Sequence, residues 1–327
     1  MKQKVKSALK YLAFFFVGLA IFWWIYRDQD IARIAAILKN DVNYFWIWIS
    51  LLLGVLSHIS RAIRWQYLIE PMGVRPGLAN TFFAVMAGYI MNLVVPRMGE
   101  LTKCGVLAKY EKISFARLIG TVVTERIFDL IMLALLALVM LVTQFGQVLS
   151  FLNEHPGIED NFYALATSPY LISAVLIVLL LTIAFRKKIL QSKIYQRFRQ
   201  TATHLKEGVL SIRQLKNKPG FIFHTLFIWL MYYLMLFVSF KAFDFTASLG
   251  LLAGLTVYVL GSFGMVAPVQ GGIGAWHFMT REGLFLYGIP YEDGLVFAFL
   301  AHGIMTLMII VLGALSVIAL PLYNRNR

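Results

Sequence analysis

Two arginines near the start of the chain have a spacing that could bind a phosphate. Arg61 and Arg64 lie three positions apart, so a helix would bring both guanidinium groups to the same face. There they could hold a phosphate through paired, charge-assisted hydrogen bonds. The alternative is that they anchor the cytoplasmic end of a membrane span, with Trp65 and Tyr67 at the level of the lipid headgroups. The pair is therefore a candidate phosphate site with a competing structural interpretation.

A second pair of charges, Arg97 and Glu100, lies at the end of an apolar run, next to Asn92 and Pro96. A charge within a membrane is costly and by default marks a functional site with a partner. Arg97 is therefore a candidate for binding an anionic headgroup, with Glu100 or Asp129 offsetting its charge. The alternative is a purely structural pair between Arg97 and Glu100.

A third group of charges, Glu125, Arg126 and Asp129, lies at the start of a later apolar run. Glu125 and Asp129 are one helical turn apart and share a face. They could neutralise Arg97 and Lys103, or they could pass protons in a coupled cycle. A structural ion network is the alternative interpretation.

In the second half of the chain, Gly271, Gly272 and Gly274 follow Pro268. A nucleotide-binding loop is not predicted, because no Gly-Lys-Ser/Thr sequence follows and the context is not strand-to-helix. We expect these glycines to expose backbone N–H groups and a helix N-terminus to an anion. His277 follows on the same short helix, where the alternative is a hydrogen-bonded packing residue. The candidate set for binding a lipid headgroup is therefore Arg61, Arg64, Asn92, Arg97, Glu100, Lys103, Gly271, Gly272, Gly274 and His277.

Metal and cofactor sites are not predicted. His58, His224 and His302 are separated by long stretches and do not have the spacing of metal ligands. Cys104 is the only cysteine, which excludes an internal disulfide and a cysteine-based zinc site. Nucleotide, metal and nucleophile patterns are all lacking, so catalytic residues are not assigned and an enzyme is disfavoured.

The elements that must position these residues are membrane helices. The chain has 327 residues, of which 60% are hydrophobic and 14% charged, against about 25% charged in soluble domains. The runs without acidic or basic residues are 11–26, 42–60, 76–96, 130–153, 161–185, 219–240, 245–280 and 294–324. The net charge of +14 does not predict nucleic-acid binding, because the basic residues lie mostly between these runs. An all-α, polytopic membrane protein is predicted.

Two of these runs do not fit plain spans. The run 76–96 ends at Pro96 and is followed by a charged stretch, and the run 245–280 is broken at 268–274. Proline and glycine interrupt helices, and non-helical backbone at membrane depth is tolerated only when it is buried or lines a wet cavity. We therefore predict about six full spans plus two re-entrant hairpins, or eight or more spans if the hairpins cross fully.

The predicted hairpins cover about 78–110, entering from the cytoplasm, and about 248–288, entering from outside. They divide a single domain, 1–327, into halves of about 1–145 and about 161–327 that form an inverted repeat. Broken helices in corresponding positions of such repeats indicate a transport site.

Loop charges predict the orientation. The loop 186–218 carries ten basic residues and one acid, whereas 146–160 carries only acids. Both termini are therefore expected in the cytoplasm. Apolar residues recur every three or four positions across about 189–216, which predicts a basic amphipathic helix on the anionic lipid of the inner leaflet. A solvated basic linker is the alternative.

Four segments together resemble a known family, the lysylphosphatidylglycerol synthase transmembrane region, also described as flippase-like membrane proteins. They are 61–65 (RAIRW), 92–100 (NLVVPRMGE), 125–129 (ERIFD) and 268–274 (PVQGGIG), in the order of the family. The resemblance covers nearly the whole chain. It implies a polytopic module of the bacterial inner membrane that handles lipids and in some members flips an aminoacylated phospholipid.

Two departures from the family bear on function. Members that make the aminoacyl lipid carry a large soluble transferase domain after the membrane region, whereas this chain ends at Arg327, so it is not expected to synthesise lysyl-lipid alone. Where the family often has a glutamate after the glycine tip, this chain has His277, with Glu282 following. A family role for that glutamate is not carried over to His277.

The leading hypothesis is a lipid translocase for a phospholipid or a polyprenyl-linked lipid. The alternative is a membrane-embedded transferase, or its subunit, acting on lipid-linked substrates, with Glu100, Asp129 or His277 as the candidate catalytic groups. A third hypothesis is a non-transporting partner or regulator whose basic surface helix recruits another protein or senses lipid charge.

Overall fold

The computed structural model describes residues 30–95, 97–154 and 215–325, together with Ala20, residues 22–24, Tyr26 and Arg27. Every regular element in these ranges is helical, which confirms the all-α class. The helices are α1 (Ile31–Asn40), α2 (Tyr44–Ile69), α3 (Leu78–Val94), α4 (Gly99–Glu111), α5 (Phe115–Glu154), α6 (Lys218–Ser239), α7 (Leu251–Val266), α8 (Ala275–Phe285) and α9 (Tyr291–Tyr323), with a single turn at Asp244–Ala247 between α6 and α7.

Four segments are long and apolar enough to cross a membrane: Tyr44–Met72, Phe115–Gln147, Lys218–Ala242 and Tyr291–Tyr323. They correspond to four of the six predicted full spans. The other two, 11–26 and 161–185, lie wholly or largely outside the described residues, as does nearly all of the predicted amphipathic helix 189–216. The number of spans in the whole chain therefore stays a prediction.

The two broken runs form helical hairpins. Helix α3, with 17 residues, packs against α4, with 13, and helix α7, with 16, packs against α8, with 11. Each of these helices is shorter than the roughly 20 residues that a span requires. In the first hairpin the chain turns at Arg97, which adopts a left-handed φ of 62°. The break positions agree with the prediction, whereas penetration into a membrane from opposite sides stays a prediction.

Small residues let the two helices of each hairpin approach closely near the turn. A Cβ atom on Gly88 in α3 would lie 2.8 Å from the carbonyl oxygen of Gly99 in α4. In the second hairpin a Cβ atom on Gly264 would lie 2.8 Å from the carbonyl oxygen of Ala275. Backbone therefore touches backbone in both hairpins, and a larger side chain at Gly88 or Gly264 would force the helices apart.

Helices α2 and α6 pack antiparallel and define two ends of the bundle. At the upper end, the backbone N–H of Asn43 donates to the carbonyl of Ala242 at 2.9 Å. At the lower end, the hydroxyl of Ser60 lies 2.8 Å from Nδ1 of His224.

The two hairpins begin at opposite ends of this bundle. The first begins at the lower end, where the side chain of Gln66 donates to the carbonyl of Pro76 at 2.6 Å. The second begins at the upper end, where Phe243 and Ile289, which flank it, share a core cluster with Ile47 in the first turn of α2. The order span, hairpin, span occurs twice among the described helices, once from α2 to α5 and once from α6 to α9.

The tips of the two hairpins meet midway along α9. A Cβ atom on Gly271 at the second tip would lie 2.7 Å from a methyl carbon of Leu93 near the first tip. Nε2 of His302, in the first half of α9, donates to the carbonyl of Gly271 at 2.8 Å. Further along α9, Gly313 makes close contact with Ile90 of α3. Helix α9 therefore packs against both hairpins close to their tips.

A candidate ionic site and the hairpin tips

Six charged side chains from α2, α4 and α5 form one ion-pair network, which we call the ionic cluster. Its members are Arg61, Arg64, Lys103, Glu125, Arg126 and Asp129. Four are positive and two are negative, so the cluster has a formal charge of +2. Sequence spacing alone could not reveal this meeting of α2 with α5, because more than 60 residues separate the arginines from the carboxylates.

Arg61 and Arg64 each bridge both carboxylates. Nη1 of Arg61 lies 2.8 Å from Oε1 of Glu125 and 3.2 Å from Oδ2 of Asp129. Nη2 of Arg64 lies 3.3 Å from Oε1 of Glu125 and 2.8 Å from Oδ1 of Asp129. The two arginines, three residues apart in α2, thus face two carboxylates that are four residues apart in α5. Both arginines are buried, and Arg64 is 0% exposed.

Lys103 joins the first hairpin to the cluster. Its Nζ atom lies 2.5 Å from Oε2 of Glu125 and 4.5 Å from the centre of the Trp65 ring. The Trp65 indole N–H in turn donates to the Thr121 hydroxyl at 2.9 Å. Glu125 is completely buried and both of its oxygens are bound by cations. Lys103 therefore sits between an aromatic face and a fully neutralised carboxylate.

One side of the cluster is open. The Arg126 side chain is 44% exposed and lies 3.3 Å from Glu125 and 3.4 Å from Asp129. Val123 and Leu130, three positions before it and four after it in α5, are exposed apolar residues on the same face. The guanidinium of Arg126 thus lies on an apolar stripe while it contacts the buried carboxylates.

The cluster contains more buried donors than acceptors. The Nε atoms of Arg61 and Arg64 and the Nη1 atom of Arg64 are buried and have no hydrogen-bond acceptor in the described parts of the chain. A buried donor without an acceptor is destabilising by about 1–3 kcal/mol, and more when it is charged. Arginine donors in this geometry suit a planar or tetrahedral oxyanion. The arrangement is therefore chemically suited to an additional anionic group.

At the second hairpin tip, two buried histidines order the glycine-rich turn. Nδ1 of His277 accepts a hydrogen bond from the backbone N–H of Gly274 at 3.3 Å. The rings of His277 and His302 are 4.6 Å apart, and His302 donates to the carbonyl of Gly271. Gly271, Gly272 and Gly274 have φ values of 57°, 79° and 80°, which a residue with a Cβ atom rarely adopts. The glycines therefore have a local role in the turn.

A cavity of about 600 Å³ opens at the lower end of the bundle, beside the cluster. It is lined by Leu68, Pro71, Met72, Arg117, Gly120, Thr121, Thr124 and Leu215. Thr121 also receives the Trp65 hydrogen bond, and Thr124 directly precedes Glu125. Thr121 and Thr124 thus connect the lining of the cavity to the surroundings of the ionic cluster.

Comparison with known proteins decides the family. Residues 11–313 match the family described as the lysylphosphatidylglycerol synthase TM region. The chain belongs to this family. Comparison with curated proteins and with solved structures gives no match. Family membership and the apolar helices together make this an integral membrane protein, and the resemblance seen in the sequence is confirmed.

Not all of the predicted site residues of this lysylphosphatidylglycerol synthase TM-region protein lie at the ionic cluster. Arg97 is exposed at the first hairpin tip and pairs with neither Glu100 nor Asp129 in the described structure. Asn92 accepts a hydrogen bond from the backbone N–H of Gly99 at 2.7 Å, so it caps the start of α4. One carboxylate oxygen of Glu100 is buried without a hydrogen-bond partner among the described residues. The second tip, with His277, makes no described hydrogen bond or ion pair with the cluster.

Sequence reasoning missed a polar group beside Arg61. The Tyr232 hydroxyl lies 3.4 Å from Nδ1 of His58 and 3.5 Å from the Tyr89 hydroxyl, and the Tyr232 ring centre is 5.9 Å from the Arg61 guanidinium. Nε2 of His58 is buried and has no hydrogen-bond partner within the described ranges. The available signal was the three-residue spacing of His58 and Arg61, which puts both on one face of α2. The tyrosines come from α3 and α6, and their sequence context gives no such signal.

The described residues contain no group of three or more histidine, cysteine or carboxylate side chains that could hold a metal ion. The ionic cluster and the polar group beside Arg61 together consist of guanidinium, ammonium, phenol and imidazole groups around the carboxylates of Glu125 and Asp129.

Proposed function

We propose that this protein is a lipid translocase of the bacterial cytoplasmic membrane, which moves a phospholipid or a polyprenyl-linked lipid between leaflets. The observation that carries the proposal is the ionic cluster, which has a formal charge of +2 and three buried arginine N–H groups without an acceptor among the described residues. Lipids of these classes share a phosphate, which is the anion that paired arginines bind best.

The path of the headgroup follows from the surroundings of the cluster. Arg126 lies half-exposed on an apolar stripe of α5, which offers a lateral approach for a lipid whose chains stay in the bilayer. The cavity at the lower end, with Arg117 at its lining, offers a second approach from the headgroup region. We assign the lower end to the cytoplasm, because the strongly basic segment 186–218 leads into it at Lys218. Both chain termini are then cytoplasmic.

The two hairpins supply the conformational change in this proposal. They start at opposite ends of the bundle and meet at their tips, which is the arrangement that inverted repeats use for alternating access. Lys103 is the cluster member that belongs to a hairpin, whereas the other five belong to α2 and α5. Movement of the first hairpin would therefore open or close the cluster toward one leaflet. We further propose that the segment 189–216 lies on anionic lipid of the inner leaflet.

The decisive experiment measures lipid movement in proteoliposomes. The purified protein should move fluorescent phosphatidylglycerol between leaflets faster than protein-free vesicles do. Arg64→Lys retains a positive charge beside Asp129 but loses the unpaired Nε and Nη1 donors, so we expect movement to slow by at least about tenfold, which corresponds to about 1.4 kcal/mol. Its melting temperature should stay within a few degrees of wild type.

Lys216→Ala is the matched control, because it removes an exposed basic residue at the lower end that lies outside the cluster. This variant should move lipid at the wild-type rate. If no lipid tested moves faster than in empty vesicles, or if Arg64→Lys moves lipid as fast as wild type, the proposed function fails.

A further inference from the structure

We infer that the ionic cluster selects lipids whose headgroup offers an anionic phosphate with neighbouring hydroxyl groups, and that it discriminates against headgroups carrying an amine. This inference rests on the proposed function and names its substrate class. The two sources of this chemistry are a phosphatidylglycerol-type phospholipid and a polyprenyl phosphate linked to a sugar. Aminoacylated lipids such as the one in the family's name, and ethanolamine lipids, belong to the disfavoured class.

Both carboxylates of the ionic cluster are already occupied by protein cations. Oε1 of Glu125 lies within 3.3 Å of three guanidinium groups, and Oε2 lies 2.5 Å from Lys103. Oδ1 of Asp129 is bound by Arg64, and Oδ2 is bound by Arg61 and Arg126. An ammonium group in this site would have to displace a protein cation from its carboxylate. It would then leave that cation buried without a counter-charge, which is strongly unfavourable.

The net charge of the ionic cluster favours an anion. Four cations face two carboxylates, so an anionic phosphate lowers the electrostatic energy of the cluster while an ammonium group raises it. The effect is large in a buried site, because salt and water screen it little. An aminoacyl headgroup with two ammonium groups carries both signs, so that its phosphate would be attracted and its amines repelled by the same cluster.

A polar group next to Arg61 can bind headgroup hydroxyls. His58, Tyr89 and Tyr232 bring two phenol hydroxyls and an imidazole to one side of the arginine, and Nε2 of His58 is buried without a partner within the described ranges. The distances between their polar atoms, 3.4 and 3.5 Å, are at the long end for hydrogen bonds. These groups can therefore exchange their weak mutual contacts for hydrogen bonds to glycerol or sugar hydroxyls.

One carboxylate of the first hairpin, Glu100, works against this inference. One of its oxygens is buried and unpaired among the described residues, and it lies one helical turn before Lys103 in α4. A headgroup amine bound near the cluster would find its carboxylate partner there. Glu100→Gln therefore separates the two cases, because it removes the negative charge and retains the size of the side chain.

The test measures binding, so it does not depend on movement of lipid. Purified protein in detergent is titrated with phosphatidylglycerol, a sugar-linked polyprenyl phosphate, phosphatidylethanolamine and lysylphosphatidylglycerol, and bound lipid is read by native mass spectrometry. We expect the first two to bind at least about tenfold more tightly than the last two. Tyr232→Phe keeps the ring beside Arg61 and removes the hydroxyl, so it should weaken phosphatidylglycerol by at least about threefold and leave phosphatidic acid, which lacks the headgroup hydroxyls, unchanged.

Two results would overturn the inference. One is that amine-bearing lipids bind as tightly as phosphatidylglycerol. The other is that Glu100→Gln loses the binding of lysylphosphatidylglycerol while its binding of phosphatidylglycerol is unchanged. An absence of preference among the four lipids counts against it equally. The proposed function has a separate outcome. Selective binding without movement in proteoliposomes would refute translocation and leave the headgroup preference intact. Movement of lipid without selective binding would refute the headgroup preference and leave translocation intact.

Discussion

Replacing Lys103 with methionine should loosen the first hairpin from α5. The variant keeps a long side chain on the Trp65 ring but removes the ammonium group, which lies 2.5 Å from Oε2 of Glu125. Breaking a buried pair costs about 3–5 kcal/mol when the remaining charge loses all compensation. Here Oε1 of Glu125 keeps its three guanidinium partners, so we expect the cost of one charged hydrogen bond, about 2–3 kcal/mol.

The chain contains its own probe of this opening. Cys104 is the only cysteine, it is 0% exposed, and it follows Lys103 in α4. A maleimide reagent reaches its thiol only when the hairpin opens locally, so the labelling rate reports the population of the open state. Because each 1.4 kcal/mol is a factor of ten, a cost of 2–3 kcal/mol should accelerate labelling in Lys103→Met by about 30- to 150-fold.

Lys109→Met is the matched control for this experiment. Lys109 lies on the same helix and is exposed, and its described contact is with the ring of Tyr110, 5.2 Å away. Its removal should change the labelling rate by less than about threefold, as expected for an exposed charge worth less than about 0.5 kcal/mol. If Lys103→Met labels no faster than Lys109→Met, the ion pair does not hold the hairpin and the mechanical role assigned to it is refuted.

Two further substitutions test the geometry of the hairpins. Asn92→Ala removes the cap on the backbone N–H of Gly99 and should lower stability by about 1 kcal/mol, measured by thermal unfolding in detergent, with Asn92→Asp retaining most of it. Gly264→Ala places a methyl group 2.8 Å from the Ala275 carbonyl and should cost about 1–3 kcal/mol, whereas Gly105→Ala, with open space around it, should be neutral or slightly stabilising. Equal effects of the two glycine substitutions would contradict the close crossing of α7 and α8.

The sequence carries the architecture in its charge-free runs and in their interruptions. The four described spans fall where the runs 42–60, 130–153, 219–240 and 294–324 predict them. Both helix breaks, between Val94 and Gly99 and between Val266 and Ala275, fall at the interruptions predicted from Pro96 onward and at 268–274. Hydropathy and the Pro–Gly breaks suffice for this, because lipid imposes the same requirements on every membrane helix. Hydropathy does not predict the register between helices, because that register depends on contacts between residues far apart in the chain.

The ionic cluster illustrates that difference. Spacing puts Arg61 with Arg64 on one helix face and Glu125 with Asp129 on another, but from the sequence we expected the two carboxylates to neutralise Arg97 and Lys103 rather than Arg61 and Arg64. The structure brings Lys103 to Glu125 because the first hairpin folds α4 back along α3 and against α5. Arg97 lies at the tip of that hairpin, where it adopts a left-handed φ and the chain reverses direction. It is therefore outside the ionic cluster. Local spacing predicts faces, whereas tertiary packing selects between them.

The position of Lys103 also bears on how a lipid could drive movement. A ligand shifts a conformational equilibrium only to the extent that it binds one state better than the other. A phosphate that contacts only Arg61 and Arg64 would bind alike whether the first hairpin is open or closed, because both arginines belong to α2. Lys103 can exchange the Glu125 carboxylate for a lipid phosphate, and this exchange alters the bond between hairpin and span. Among the charged members of the ionic cluster, Lys103 is therefore the one that couples phosphate binding to hairpin movement. Phosphatidic acid, which lacks the headgroup hydroxyls that Tyr89 could contact, should accordingly change the Cys104 labelling rate in the wild-type protein and leave it unchanged in Lys103→Met.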